Sequence, residues 1–188
     1  MRVLLIGPPG SGKGMQGERL AERLGVEHIA AGDLLRAEVA AKADLGREVE
    51  AQLERGDLVP DETIIALVLP KVVSAAKAGG YLLDGFPRSV EQAVEARKLA
   101  DQAGAGPDAV IYLDVPREEL MRRILLRAKE QNRTDDNEET VANRLHVFDQ
   151  ATSPLVEYYQ GRGLLHTIDA ARDADVVTTA ILDSLGVG

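Results

Sequence analysis

Val3-Leu4-Leu5-Ile6 is the first of five short apolar runs set among polar and glycine-containing segments; the others are Glu27–Ile29, Tyr81–Leu83, Val110–Leu113 and Leu164–Ile168. Such runs read as buried strands, and the segments between them have helical period. A regular β/α alternation predicts an α/β fold: a five-stranded parallel sheet with helices on both faces. Several helix ends are legible. One helix runs from Gln16 to Leu24, and Asp61 is a candidate cap for another toward Lys77, with Pro70 inside it as a bend. Ser153-Pro154 reads as a cap followed by proline at the first helical position, opening a helix through Tyr158-Tyr159 that stops at Gly161 and Gly163. The last helix, near Asp173 to Leu185, carries a core stripe at Val176, Val177, Ala180, Ile181 and Leu185.

Two stretches exceed what the sheet needs. Residues from about Ala30 to Val59 place two helical segments between the second strand and the next long helix. Residues 129–137 are polar and interrupt the helical runs Glu118–Ala128 and Glu138–Phe148; flanked by Arg127 and Arg144 and containing Arg133, they suit a lid folding over charge. Three strands end in Asp84, Asp114 and Asp169. In sheets of this kind ligands bind beyond the carboxyl ends of the strands, so the site should gather there.

The chemistry is most legible just after the first strand, in Gly7-Pro8-Pro9-Gly10-Ser11-Gly12-Lys13-Gly14. A glycine-rich loop between strand and helix aims backbone N–H groups and a helix dipole at one small volume, with an ammonium over it. The Gly7-x4-Gly12-Lys13 spacing in that context is the P-loop motif, which cradles a polyphosphate; the plainer alternative is a strand-to-helix turn with a solvated lysine. The Ser or Thr that usually follows the lysine and ligates Mg²⁺ is here Gly14, followed by Met15. Mg²⁺ would then be held by the nucleotide's phosphates and by water, a shell it sheds reluctantly. Asp84 is the candidate to order those waters.

Composition narrows the classes. With 188 residues, 45% of them hydrophobic, the chain can bury one good core. No internal repeat or linker divides it. A net charge of −9 argues against holding nucleic acid by the general surface, and no run of eighteen apolar residues suggests a membrane span. The N-terminus enters a strand at once, leaving no room for a signal peptide. The absence of cysteine excludes a disulfide framework and a cysteine zinc site and fits a cytoplasmic protein. His28, His146 and His166 are scattered, and a structural role is expected for each. Arg88, Arg123, Arg127, Arg133 and Arg144 stand out in an acidic chain: singly they could pair with surface carboxylates, but beside a phosphate loop they point to an anionic ligand.

Taken together the segments resemble the adenylate kinase family over essentially the whole chain. Besides the loop, they are Gly32-Asp33-Leu34-Leu35-Arg36, Gly56-Asp57-Leu58-Val59-Pro60, Asp84-Gly85-Phe86-Pro87-Arg88 with Gln92, Arg133-Thr134-Asp135-Asp136, Glu139 to Arg144, and Pro154 to Tyr159. The short stretch at 129–137 is similar to the short-lid variety, without structural zinc. The resemblance implies a P-loop NTPase-type core at 1–29, 60–126 and 138–188, an AMP-binding segment at 30–59 and a lid at 127–137. It implies Mg·ATP plus AMP giving two ADP, with a monomeric enzyme. Gly10, Ser11, Gly12, Lys13, Gly14 and Met15 would hold the ATP phosphates; Arg123 would stack on its adenine, Arg127 would contact its phosphates, and the backbone near Arg172 would touch its base. Arg36 and Arg88 would grip the AMP phosphate, with Ala31, Asp57, Leu58, Val59, Gly85, Phe86, Pro87 and Gln92 around the AMP. Arg133 and Arg144 would bridge the two substrates, completing a catalytic set of Lys13, Asp84, Arg88, Arg127, Arg133 and Arg144.

Phosphoryl transfer explains that inventory. It requires two anions brought into line, stabilised charge and excluded water, with little covalent help from the protein. Arginine forks bind phosphate oxygens bidentately and stay charged. Family members usually carry Thr where this chain has Met15 and Ala31. A lost neutral hydrogen bond costs about 0.5–1.5 kcal/mol, so the resemblance implies an active enzyme with a raised AMP requirement. Two other functions fit the same residues: a nucleoside monophosphate kinase for another base, and a nucleotide-binding regulator that transfers nothing.

Overall fold

The computed structural model describes residues 1–41, 44–55, 57–131 and 138–187, with the backbone alone at 44–48, 127–131 and 138–139. Five strands, β1 (Arg2–Ile6), β2 (Glu27–Ala30), β3 (Tyr81–Asp84), β4 (Ala109–Asp114) and β5 (Leu165–Asp169), form one sheet in the order β2-β3-β1-β4-β5. Every pairing is parallel, as the strand–helix alternation requires. From β1 the chain goes to the edge at β2, returns to place β3 between them, then crosses to the other side of β1 between β3 and β4. That reversal leaves a crevice beyond the carboxyl end of β1, where α/β sheets bind ligands. Register puts Asp84 into it: Leu5 and Ala30 are its neighbours in β1 and β2.

Nine α-helices occur among the described residues: α1 (Lys13–Leu24), α2 (Ala31–Ala40), α3 (Asp44–Arg55), α4 (Asp61–Ala78), α5 (Val90–Gln102), α6 (Arg117–Gln131), α7 (Glu138–Val147), α8 (Pro154–Gln160) and α9 (Ala174–Ser184). Because side chains alternate across a strand, the sheet feeds two cores. Leu4, Ile6, Ile29, Tyr81 and Leu83 pack with residues of α2–α5 and α8. Val3, Leu5, Leu82, Ile111 and Leu113 pack with residues of α1, α6, α7 and α9. Both faces are thereby covered.

Three helix starts differ from the sequence reading. Ser153 caps nothing: it has helical φ/ψ and its side chain makes no cap bond, because a π-helical stretch, Phe148–Thr152, carries the chain from α7 into α8. Asp61 is the first residue of α4, not its cap, and its carboxylate accepts from Gln92 Nε2 at 2.9 Å. The first helix begins at Lys13, three residues earlier than the periodicity indicates.

Candidate functional site

The phosphate loop connects β1 to α1. Gly12, at φ +93°, occupies the N-cap position of α1 and supplies no side-chain cap, so the cap residue does not screen the positive end of the helix from a ligand. Gly10 has φ +84° and lies beneath α6: a β-carbon there would stand 2.7 Å from Ile124 Cγ1 and 3.1 Å from the Leu120 carbonyl. Positive φ and close approach together require glycine. Gly10→Ala is therefore expected to destabilise the protein by roughly 2–4 kcal/mol and to displace the loop, read out as a lower melting temperature and weaker nucleotide binding. A stability within 0.5 kcal/mol (roughly,) of the parent would refute the packing account.

Lys13 folds back over this loop, its ammonium donating to the carbonyls of Gly7 at 2.7 Å and Pro8 at 3.0 Å. A cavity of about 500 Å³ opens beside it. From the loop its wall takes Gly10, Gly12, Lys13, Gly14 and Met15; facing them are Arg36, Leu58, Asp84, Gly85, Pro87, Arg88 and Arg144. Residues separated by more than a hundred positions thus share one space, where Lys13, Arg36, Arg88 and Arg144 stand with Glu18, Asp33 and Asp84.

Burial sets the electrostatics. It pushes the Asp84 carboxyl above the usual carboxylate range, although Lys13, His28 and Arg88 pull the other way. Burial also depresses the Arg88 guanidinium, as do its neighbours Arg144 and Arg36, while Asp84 opposes them. A desolvated guanidinium with two further cations beside it favours an anion, and that is the property of a phosphate site. Arg88 Nε donates to the Gly85 carbonyl at 2.9 Å, and its backbone N–H donates to Gln92 Oε1 at 2.8 Å. Arg36 pairs with Asp33. Ser11 Oγ, His28 Nε2 and Asp84 Oδ1 are buried and have no hydrogen-bond partner among the described residues.

Other sequence candidates lie off the cavity wall. Ser11 and Gln92 are buried, each 2% exposed; the Gln92 amide spans Arg88 N–H and Asp61. Ala31, Val59 and Phe86 belong to the apolar core. The Asp57 carboxylate is taken by Arg55 Nε and Asn143 Nδ2, both at 2.8 Å, which hold its pKa down. Asn143 also donates to the Arg55 carbonyl, tying the end of α3 to α7. Arg172 is exposed beyond β5. Arg133 and Gly56 lie outside the described residues, as does the side chain of Arg127.

The sequence reading missed part of the wall. His28, expected to be structural, lines the cavity, as do Val147, Phe148 and Thr152. It also missed how Arg123 is held. Arg123 Nε donates to Glu119 Oε1 at 2.7 Å and Nη1 to the Ala170 carbonyl at 2.9 Å. This fixes its guanidinium where α6, packed on the phosphate loop, meets the end of β5. Arg122 donates twice to the same carboxylate. The two arginines hold Glu119 at a pKa of about 2, against an ordinary 4.5. For a depressed carboxyl the contribution is whole above the ordinary value and fades as pH falls toward the lowered one. The Glu119 clamp thus persists through neutral pH.

A phosphate loop at the switch point of a five-stranded parallel sheet, facing Arg36, Arg88 and Arg144 across one cavity, defines a P-loop protein built for phosphorylated ligands. The family model described as adenylate kinase matches residues 5–164. Adenylate kinases of Stenotrophomonas maltophilia strain R551-3, Thermobifida fusca strain YX and Synechococcus sp. strain WH7803 are 44%, 43% and 45% identical to it, each alignment covering 98% of this chain and 98–99% of the relative. The chain belongs to the adenylate kinase family and is thus a nucleoside monophosphate kinase. No helix among the described residues is long and apolar enough to cross a membrane.

Proposed function

We propose that this enzyme transfers the terminal phosphoryl group of Mg·ATP directly to AMP, reversibly and in line, giving two ADP with no covalent enzyme intermediate. The observation that carries it is one cavity with the Lys13 loop on one wall and Arg36, Arg88 and Arg144 on another. Two polyanions repel each other unless cations surround both; this cavity is lined for that task. In this reading the backbone from Gly10 to Met15 and Lys13 hold the ATP phosphates, and Arg123 faces the adenine. Arg36 and Arg88 hold the AMP phosphate, with Leu58, Gly85 and Pro87 beside the nucleoside. Asp57, Val59 and Gln92 act through backbone and loop placement. Arg144 bridges donor and acceptor, joined by Arg127 and Arg133. Segment 30–59 moves with AMP, segment 127–137 closes as the lid, and the remainder is the fixed core.

The donor set fits Mg²⁺ brought in by the nucleotide. Gly14 and Met15 offer no side-chain oxygen, whereas Asp84 presents a buried carboxylate oxygen with no hydrogen-bond partner among the described residues, suited to orienting metal-bound water. When bound, the ion supplies charge neutralisation on the phosphates. We place the enzyme in the cytoplasm as a monomer that engages ATP, AMP and ADP, not nucleic acid or a membrane.

The test is to mix purified protein with ADP and Mg²⁺. ATP and AMP should accumulate in equal amounts; their absence refutes the reading and leaves a nucleotide-binding regulator. Offering AMP, GMP, CMP and UMP with ATP then tests the acceptor base, with AMP expected to dominate. Initial rates also test the Arg123 clamp. Glu119→Gln should raise KM for ATP about 3–10-fold, with KM for AMP unchanged; equal changes in both would remove Glu119 from adenine placement.

A further inference from the structure

We propose that Met15 is a site of reversible oxidation, at which conversion of its thioether to the sulfoxide weakens ATP binding. Its effect on ATP rests on the phosphate-binding reading of the loop given above. The chain has three methionines. Met15 is the most exposed, at 44%, and lies in the first turn of α1 on the wall of the cavity. Its methyl group folds back over the loop, 3.9 Å from where a β-carbon on Gly12 would stand. Met121 is partly buried against the core that holds Ile111 and Ile124. Met1, 38% exposed, precedes β1 at the opposite end of the sheet from the loop. Accessibility governs thioether oxidation, so Met15 is the thioether that a peroxide entering the cavity meets.

The step balances without a group from the protein. A sulfur lone pair attacks one peroxide oxygen, an S–O bond forms and the O–O bond breaks. Sulfur is oxidised by two electrons, the peroxide is reduced, and the departing oxygen takes the proton to leave as water or an alcohol. The product exchanges a soft apolar group for a polar one whose oxygen bears partial negative charge. That oxygen arises on the stretch of cavity wall that Gly12, Lys13 and Gly14 also line, where the phosphates would bind. It competes for their donors and repels the nucleotide. A bound nucleotide, in turn, covers the sulfur.

The experiment treats the full protein with hydrogen peroxide, with and without ATP, and follows oxygen gain at each methionine by peptide mass spectrometry. ATP affinity is measured by calorimetry before and after, with Met15→Leu treated in parallel and Met15→Gln as a polar mimic. Met15 should oxidise faster than Met121, and ATP should slow it. The Kd for ATP should rise about fivefold or more, recover with methionine sulfoxide reductases, and be raised already in Met15→Gln. The affinity of Met15→Leu should not respond to peroxide. The proposal is overturned if Met15 oxidises no faster than Met121, if oxidation leaves ATP affinity unchanged, or if Met15→Leu loses affinity as the parent does. Untreated protein that binds no ATP would overturn the phosphate-loop reading as well. Active protein indifferent to Met15 oxidation would overturn this proposal alone.

Discussion

Lys13→Met is expected to lower kcat for 2 ADP → ATP + AMP by on the order of 10²–10³-fold, the usual scale for removing a preorganised charge from a transition state. The substitution keeps a long unbranched side chain and deletes only the ammonium. That ammonium donates to the Gly7 and Pro8 carbonyls, on the cavity wall that Gly12 and Gly14 share. A phosphate oxygen can replace those carbonyls without moving the backbone, so little reorganisation is required when charge develops. A thermal melt on the same sample checks that the loop is intact. A folded variant within tenfold of the parent kcat would remove Lys13 from the reaction.

Asp84→Asn should separate function from stability. The carboxylate sits at the end of β3 between β1 and β2, and desolvation outweighs the cations around it, raising its pKa. The native state then binds the proton more tightly than the unfolded chain. Stability from this group is greatest below the ordinary carboxyl pKa and is lost as pH rises through the raised one. Above that raised pKa the fold carries an unfavourable charge. The amide should raise stability at pH 8 by about 0.5–2 kcal/mol, or roughly 1–6 °C in melting temperature. The advantage should shrink toward pH 4, where the parent carboxyl is neutralised. Turnover should fall roughly 10–100-fold, the scale for losing a group that orients a metal's ligands. A melting temperature lowered at pH 8 would show that Lys13 and Arg88 depend on the carboxylate more than its burial costs.

The strands were legible because each is a short apolar run, and the phosphate loop because its glycines are forced by geometry that sequence displays directly. Asp84 was found for the same reason, as the acidic end of a strand whose register only the sheet could supply. Helix caps were less legible. Ser153-Pro154 has the composition of a helix start, yet hydrogen bonding continues through Phe148–Thr152 and removes the need for one. Asp61 looks like a cap but serves Gln92, a partner 31 residues away. His28, Phe148 and the Arg123–Ala170 contact depend on where separate elements meet. No local spacing encodes them.

The link through Asn143 has a mechanical consequence. Its amide holds the Arg55 carbonyl and the Asp57 carboxylate, fastening the end of α3 to α7. If residues 30–59 move with AMP as proposed, they must either drag α7 along or break contacts worth about 1 kcal/mol each. In that reading the proposed AMP segment and the proposed lid share a pivot, and a strain applied by one nucleotide would reach the hinge of the other.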